Sequence, residues 1–275
     1  MKNETNPDQL KQLAWRSIRT ANYWLHRKRH KSHIVFIAGL PKAGTTWLAQ
    51  MFAEVPGFFR AAPSHISQTD HDLNNLTFRE FNRQLVVLHL HLAWSPDNGR
   101  ILERENQKYV VLFRDLRDTV VSWYHYVTKV NHKHFLHQTL RGLSLAEGID
   151  YYIEHYLERE VEWIRGWREN RHPVLSVETR YEDLRANTLV EFSRLVSFFG
   201  LKVSTDKMQD LVRRNSFEYV TNRRQGQEDT SSHQRKGIVG DWKNAFQARH
   251  IEAFKHLAGE LLIELGYEEN TNWLP

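Results

Sequence analysis

The stretch IVFIAGLPKAGTTWLAQMFAE, Ile34 to Glu54, decides the fold. Ile34 to Ala38 is a short, uninterrupted apolar run of strand length, the pattern of a strand covered on both faces. Gly39-Leu40-Pro41-Lys42-Ala43-Gly44 breaks that run, and a helical stretch follows from Thr45 to Glu54. Strand, glycine loop and helix in this order make a phosphate-binding loop, in which backbone N–H groups and the positive end of a helix surround anionic oxygens. One feature departs from the loop of a nucleoside triphosphatase. Thr45 stands where a lysine should follow the second glycine, and a lysine sits inside the loop instead, at position 42.

Outward from this unit, Leu85 to Leu92 and Tyr109 to Phe113 read as two more buried strands, and Asp115 to Val130 as a helix after the second. A long helix is expected near Leu145 to Arg168, a strand at Val174 to Val177, and helices near Leu189 to Phe199 and Asp206 to Arg214. Alternating strands and helices predict a single α/β domain with a mainly parallel central sheet flanked by helices, its ligands at the carboxyl ends of the strands. Asn131 to Gly142 and Asn222 to Gly240 are polar and read as surface loops that could fold over a site. Upstream, Leu10, Leu13, Ala14, Ile18, Ala21, Trp24 and Leu25 recur at three- and four-residue steps and run into the basic segment His26 to Lys31. Residues 1–31 are therefore read as an amphipathic basic helix, packed on the domain or lying on a membrane surface, and 32–275 as the domain itself.

Composition narrows the function classes. The 275 residues carry 38 Lys+Arg against 33 Asp+Glu, a net charge of +5, and include 9 Trp, 10 Tyr and 14 Phe, which excludes global disorder. With no cysteine, disulfides, Cys-ligated zinc, iron–sulfur clusters and thiol nucleophiles are excluded. No apolar run approaches the roughly 18 residues of a membrane span. Met1 to Gln9 is polar, unlike a secretory leader, and a cytoplasmic location is expected. The modest positive excess suits anionic ligands without pointing to nucleic acid.

Three further segments carry chemistry. VVLFRDLRDTVVSWY, Val110 to Tyr124, places Arg114 at a strand end and Ser122 two helical turns on, a pair able to bind a second phosphate, unless Arg114 is taken up by Asp118. Arg117 and Asp118 read as helix-surface charges. Arg114, not an aspartate, follows the strand, so the usual magnesium-holding acid of a triphosphatase is missing. RKGIVGDWKNAF, Arg235 to Phe246, is a basic, glycine-containing loop. LHLHLAW, Leu88 to Trp94, points His89 and His91 to one face of a strand, where a general base could stand.

PKAGTTW, Pro41 to Trp47, resembles the 5′-phosphosulfate loop of the cytosolic-type sulfotransferases, which use 3′-phosphoadenosine 5′-phosphosulfate (PAPS) and release 3′-phosphoadenosine 5′-phosphate (PAP). The Arg114–Ser122 spacing and the segment from Arg235 to Phe246 resemble that family's next two elements, so the likeness runs from about Ile34 to Phe246. It implies that Lys42, Ala43, Gly44, Thr45 and Thr46 hold the phosphosulfate. Arg114, Ser122, Arg235, Lys236 and Gly237 would hold the 3′-phosphate. Trp47 and Phe217 would flank adenine, with Tyr181 of YEDL (Tyr181 to Leu184) at its edge. His91, 23 residues before Arg114, would be the base. Lys42 would stabilise the leaving oxygen, Ser122 would act beside it, and no metal is implied. His89 stands where the family has lysine.

The acceptor is expected to be a small molecule, lipid or glycan bearing a hydroxyl or amine. Its pocket is placed among Phe58 to Arg83, Asn131 to Gly142 and Asn222 to Ser232. The family's dimerisation element, here Lys243 to Glu252, is altered at Gln247-Ala248 and leaves the oligomeric state open. The rival readings are a phosphate-loop nucleotide kinase or NTPase, and a basic module for nucleic acid or membranes.

Overall fold

The computed structural model describes residues 7–67 and 71–274, with side chains from Ser17 onward. In chain order, α1 (Pro7–His26) leads into β1 (Ile34–Gly39), α2 (Thr45–Ala53), β2 (Phe59–Ala61), β3 (Val86–Leu90), α3 (Pro96–Arg104), β4 (Tyr109–Phe113) and α4 (Leu116–His125). There follow α5 (His137–Leu140), α6 (Leu145–Tyr152), α7 (Glu158–Asn170), β5 (Ser176–Arg180), α8 (Tyr181–Ala186), α9 (Thr188–Phe198), α10 (Thr205–Arg214), α11 (Phe217–Thr221) and α12 (Ala248–Glu264).

The strands form one parallel sheet in the order β2-β3-β1-β4-β5. The central three are apolar but for His89 in β3 because helices cover both faces; Phe36, Ile37 and Phe113 in the sheet, Phe52 and Phe192 in the helices and Phe199 just past α9 are fully buried. The chain builds outward from β1 to β2 and β3, then crosses to the other side for β4 and β5. That reversal opens a crevice beside the carboxyl end of β1. Register sets what stands in it: Ala38 is level with Leu90 and Val111, and Phe113 with Arg180. The chain therefore leaves β1, β3, β4 and β5 along one edge, at Leu40, His91, Arg114 and Tyr181.

The structure departs from the sequence reading in several places. The last strand begins at Ser176, not Val174, which is exposed; as an edge strand it carries polar side chains, and Glu178 receives Arg168 at 3.2 Å. The helix from Leu145 is interrupted by a π turn at Ile153–Leu157, and the one after β4 passes into another at Tyr126–Val130. Strand β2 and helix α3 have little apolar periodicity; α3 starts instead on a Ser95 cap with Pro96 at its first position. The segment 131–142 is anchored by buried Leu136 and Leu140 and contains α5.

Arg117 and Asp118 are the largest correction. Both are 2% exposed. Arg117 pairs with Asp115 at 2.7 Å and with Glu268, between the rings of Trp242 (4.1 Å) and Trp273 (4.7 Å). A guanidinium that is planar, charged and doubly paired is tolerated in a core where a lone charge is not.

Candidate active site

The loop after β1 is shaped for an anion. Gly44 caps α2 in the left-handed region (φ 87°), with no side-chain cap, so the N–H groups of the first turn have no partner within the helix. A Cβ on Gly39 would lie 1.8 Å from Thr45 Cγ2, and one on Gly44 2.8 Å from the Tyr181 ring. Lys42 is also left-handed (φ 67°), a conformation costly for a side-chain-bearing residue. Its Nζ stands 3.9 Å from the centroid of the Tyr126 ring. Burial, and then the nearby Arg114, push its pKa down to about 8. Ala43 lies beneath the loop, fully buried, its N–H donating to the Leu40 carbonyl at 3.2 Å, and does not line the cleft.

Beyond β4, Arg114 is buried and does pair with Asp118 at 3.2 Å. It also donates to the Ile238 carbonyl at 3.1 Å and lies 4.2 Å from the Tyr181 ring centroid. Burial opposes its charge, but Tyr181, Asp118 and Glu182 together hold its pKa above the usual value. Its Nε is buried with no partner among the described residues, a donor left over for a ligand. Ser122 lines the same cleft.

Asp118 is a positioning residue that sequence reasoning missed. Besides Arg114 it accepts from the N–H groups of Gly240 (2.8 Å) and Trp242 (3.0 Å), tying α4 to the C-terminal basic loop. In that loop Arg235 pairs with Glu228 and Asp241, and Lys236 with Asp241 at 2.9 Å. Gly237 is left-handed (φ 64°), and a Cβ there would meet the Phe217 ring at 2.4 Å.

The aromatic residues gather at this end. Trp47 meets Tyr181 edge-on at 6.0 Å, and its indole N–H donates to the Asn215 carbonyl at 2.8 Å. Arg185, also unforeseen, donates to the Gly237 carbonyl at 2.7 Å with its guanidinium 5.9 Å from the Trp47 ring.

At the opposite end, His91 Nδ1 is 2.7 Å from the Gly39 carbonyl. A carbonyl only accepts, so Nδ1 carries the proton and Nε2 keeps the lone pair in the neutral ring. The His91 backbone N–H donates to His71 Nδ1 at 3.2 Å. Burial lowers the His91 pKa below the ordinary histidine value, and the Gly39 bond offsets only part of this. His89 lies farther back, its ring 6.5 Å from that of His91, and does not line the cleft. Burial, aided by Arg60, pushes it down to about 4, so it cannot supply the charge of a lysine.

Lys42, Gly44, Thr45, Thr46, Trp47, His91, Arg114, Ser122, Tyr181, Phe217, Arg235, Lys236 and Gly237 thus line one cleft of about 1540 Å³. Its far end takes Arg60, Ile66 and His71 from the first segment expected there and Asn131, His134 and Phe135 from the second. The third segment, 222–232, stays off the cleft; His233 and Gln234, just beyond it, take its place. Tyr156, Glu160 and Trp163, around the start of α7, were not foreseen, because they read as an ordinary buried helix face. Among the described residues no group of three or more His, Asp or Glu is arranged to hold a metal ion.

The sulfotransferase domain family matches residues 32–266. The chain is 27% identical over 256 residues to sulfotransferase 1C2 of Homo sapiens, covering 81% of each chain. It is 22% identical over 275 residues to the amine sulfotransferase of Oryctolagus cuniculus, covering 86% of each. Its fold is similar to that of a mouse sulfotransferase, SULT7A1, solved with PAP, with a TM-score of 0.65 at 18% identity over 91% of this chain and 92% of that one.

Proposed function

The chain belongs to the sulfotransferase domain family and is a sulfotransferase, and from that premise we propose that it moves the sulfuryl group of PAPS to a hydroxyl or amine of a small-molecule, lipid or glycan acceptor. The observation that carries this reading is that residues leaving neighbouring strand ends line one cleft: Lys42 beyond β1, His91 after β3, Arg114 after β4 and Tyr181 after β5. The site fits PAPS on its own geometry. The uncapped start of α2 and Lys42 suit a phosphosulfate, and the spare Arg114 Nε with Ser122, Arg235, Lys236 and Gly237 suits a second phosphate. Trp47, Phe217 and Tyr181 offer flat surface for a base.

In the proposed reaction the acceptor oxygen attacks sulfur while its proton passes to His91 Nε2. The bond from sulfur to the bridging oxygen breaks, and Lys42 meets the charge that grows on the departing 5′-phosphate of PAP. The test is incubation of the protein with sulfur-labelled PAPS and a panel of phenols, alcohols and amines in EDTA. Label should move to acceptor without metal; magnesium-dependent hydrolysis of ATP in its place would favour the kinase or NTPase reading.

Residues 1–31 are proposed as an addition to the transferase domain, 32–275. The free face of α1 exposes Ile18 (59%), Trp24 (52%) and Leu25 (71%) beside Arg27 and Lys28, and we propose that it touches an anionic membrane. Sedimentation with phosphatidylserine vesicles, lost on Trp24→Glu with Leu25→Glu, tests this; equal sedimentation of the double variant refutes it. No helix of the described residues is long and apolar enough to cross a membrane.

A further inference from the structure

Helix α7 carries a carboxyl group on its buried face. Glu160, Trp163 and Trp167 follow at steps of three and four and so share one side of the helix. Both indoles donate to the Leu92 carbonyl, at 2.8 and 3.1 Å, next to His91. Glu160 is therefore about one helical turn from a side chain fixed to the strand end that holds His91. It is 7% exposed, and it lines the cleft.

Among the described residues the Glu160 carboxylate makes no hydrogen bond and no ion pair, although the Tyr152 hydroxyl and the Arg159 guanidinium are near enough to feel its charge. Arg159, its chain neighbour, is turned to solvent and stacks over the Tyr156 ring at 5.0 Å. Burial pushes the Glu160 carboxyl up to about 7, as expected of an acid removed from water without a partner. The same cleft is lined by Trp94, Trp123, Tyr156 and Trp163, of which Tyr156 and Trp163 lie one helical turn from Glu160 along the chain, with Trp123 and Tyr156 packed at 5.4 Å. The other charges at this end, Arg60, Arg159 and Glu162, are exposed and screened by water.

A largely buried carboxyl without a hydrogen-bonding partner, opening on a cleft lined with aromatic rings, matches the chemistry of an ammonium group: three N–H donors and a positive charge attracted to ring faces. We infer that Glu160 and these aromatic walls form an ammonium subsite, so that the acceptor is a hydroxyl compound carrying a basic amine, the amine at Glu160 and the hydroxyl at His91. This rests on the sulfotransferase reading and adds the substrate class.

The test compares tyramine with 4-ethylphenol, which differ by the ammonium group, as acceptors from PAPS. Wild type should prefer tyramine at least tenfold in kcat/KM. Glu160→Gln, which keeps shape and removes the charge, should raise KM for tyramine about ten- to a hundredfold and change 4-ethylphenol less than about twofold. The neutral phenol doubles as the control for folding, and Glu160→Asp should recover part of the preference. No preference in wild type, or equal losses on both acceptors in Glu160→Gln, overturns the subsite. Should neither phenol be turned over, quenching of tryptophan fluorescence in the PAP complex gives the same comparison as binding. PAP calorimetry on the same preparations separates the two ideas: absent PAP binding sinks the donor reading, whereas an unchanged acceptor ratio sinks the subsite alone.

Discussion

In the proposed reaction His91 works through the nitrogen that its backbone partner leaves free. The Gly39 carbonyl fixes the proton on Nδ1, and burial keeps the ring neutral at ordinary pH, so Nε2 is ready to accept a proton without first losing one. Because the neutral form is the active one and its pKa is lowered, turnover should rise with pH through a group below about 6.5 and be level by neutrality. His91→Asn should cost about 10²–10⁴ in turnover and lose that limb. His89→Ala should cost clearly less; a larger loss there, or a limb that survives in His91→Asn, contradicts the assignment. Lys42 gives the opposite slope. Its ammonium is proposed to bind the donor, and burial lowers its pKa to about 8, so PAP affinity should be level below that pH and fall as pH rises through it. Lys42→Met should remove this fall and keep less than about a tenth of the transfer rate, its charge being set against the leaving oxygen. Calorimetry from pH 6 to 9.5 follows the first effect.

At the scale of elements, the start of α4 and the C-terminal loop act as one clamp, joined through Asp118. Arg114→Ala should weaken PAP by about 1.5–3 kcal/mol, roughly ten- to a hundredfold, while adenosine 5′-phosphosulfate, which lacks the 3′-phosphate, should be little affected. Equal losses for both ligands remove Arg114 from that phosphate. Gly237→Ala should weaken PAP as well, since the new methyl must displace the Phe217 ring and the backbone there is left-handed. These elements were legible to different degrees. The strands β1, β3 and β4 stand out in the sequence because burial on two faces leaves apolar residues at every position but His89. Strand β5 is legible only as the run Val174 to Val177, two residues early, because an edge strand keeps its polar side chains. Loop glycines and terminal residues of strands could be read because spacing along the chain fixes them. Asp118 and Arg185 could not, since they tie to Gly240, Trp242 and Gly237 far along the chain and their charge alone suggests a solvated surface, nor could Glu160, whose place on a buried helix face says nothing of a cleft.

Across the whole molecule, the reversal of strand order around β1 brings these parts to one crevice, with the proposed donor end under the C-terminal loop and the proposed acceptor end between β2, β3 and α7. The same topology serves phosphate-loop kinases, so the fold does not separate the two chemistries. The distribution of cations does. Here Lys42 stands within the loop and Arg114 at the next strand end, where a triphosphatase would place a lysine after the glycines and a magnesium-holding acid. The direct measurement is calorimetric titration of the full chain with PAP and with adenosine 5′-monophosphate, both in EDTA. PAP should bind without metal and at least tenfold more tightly than the monophosphate. Equal affinities, or binding that appears only when magnesium is added, would contradict it.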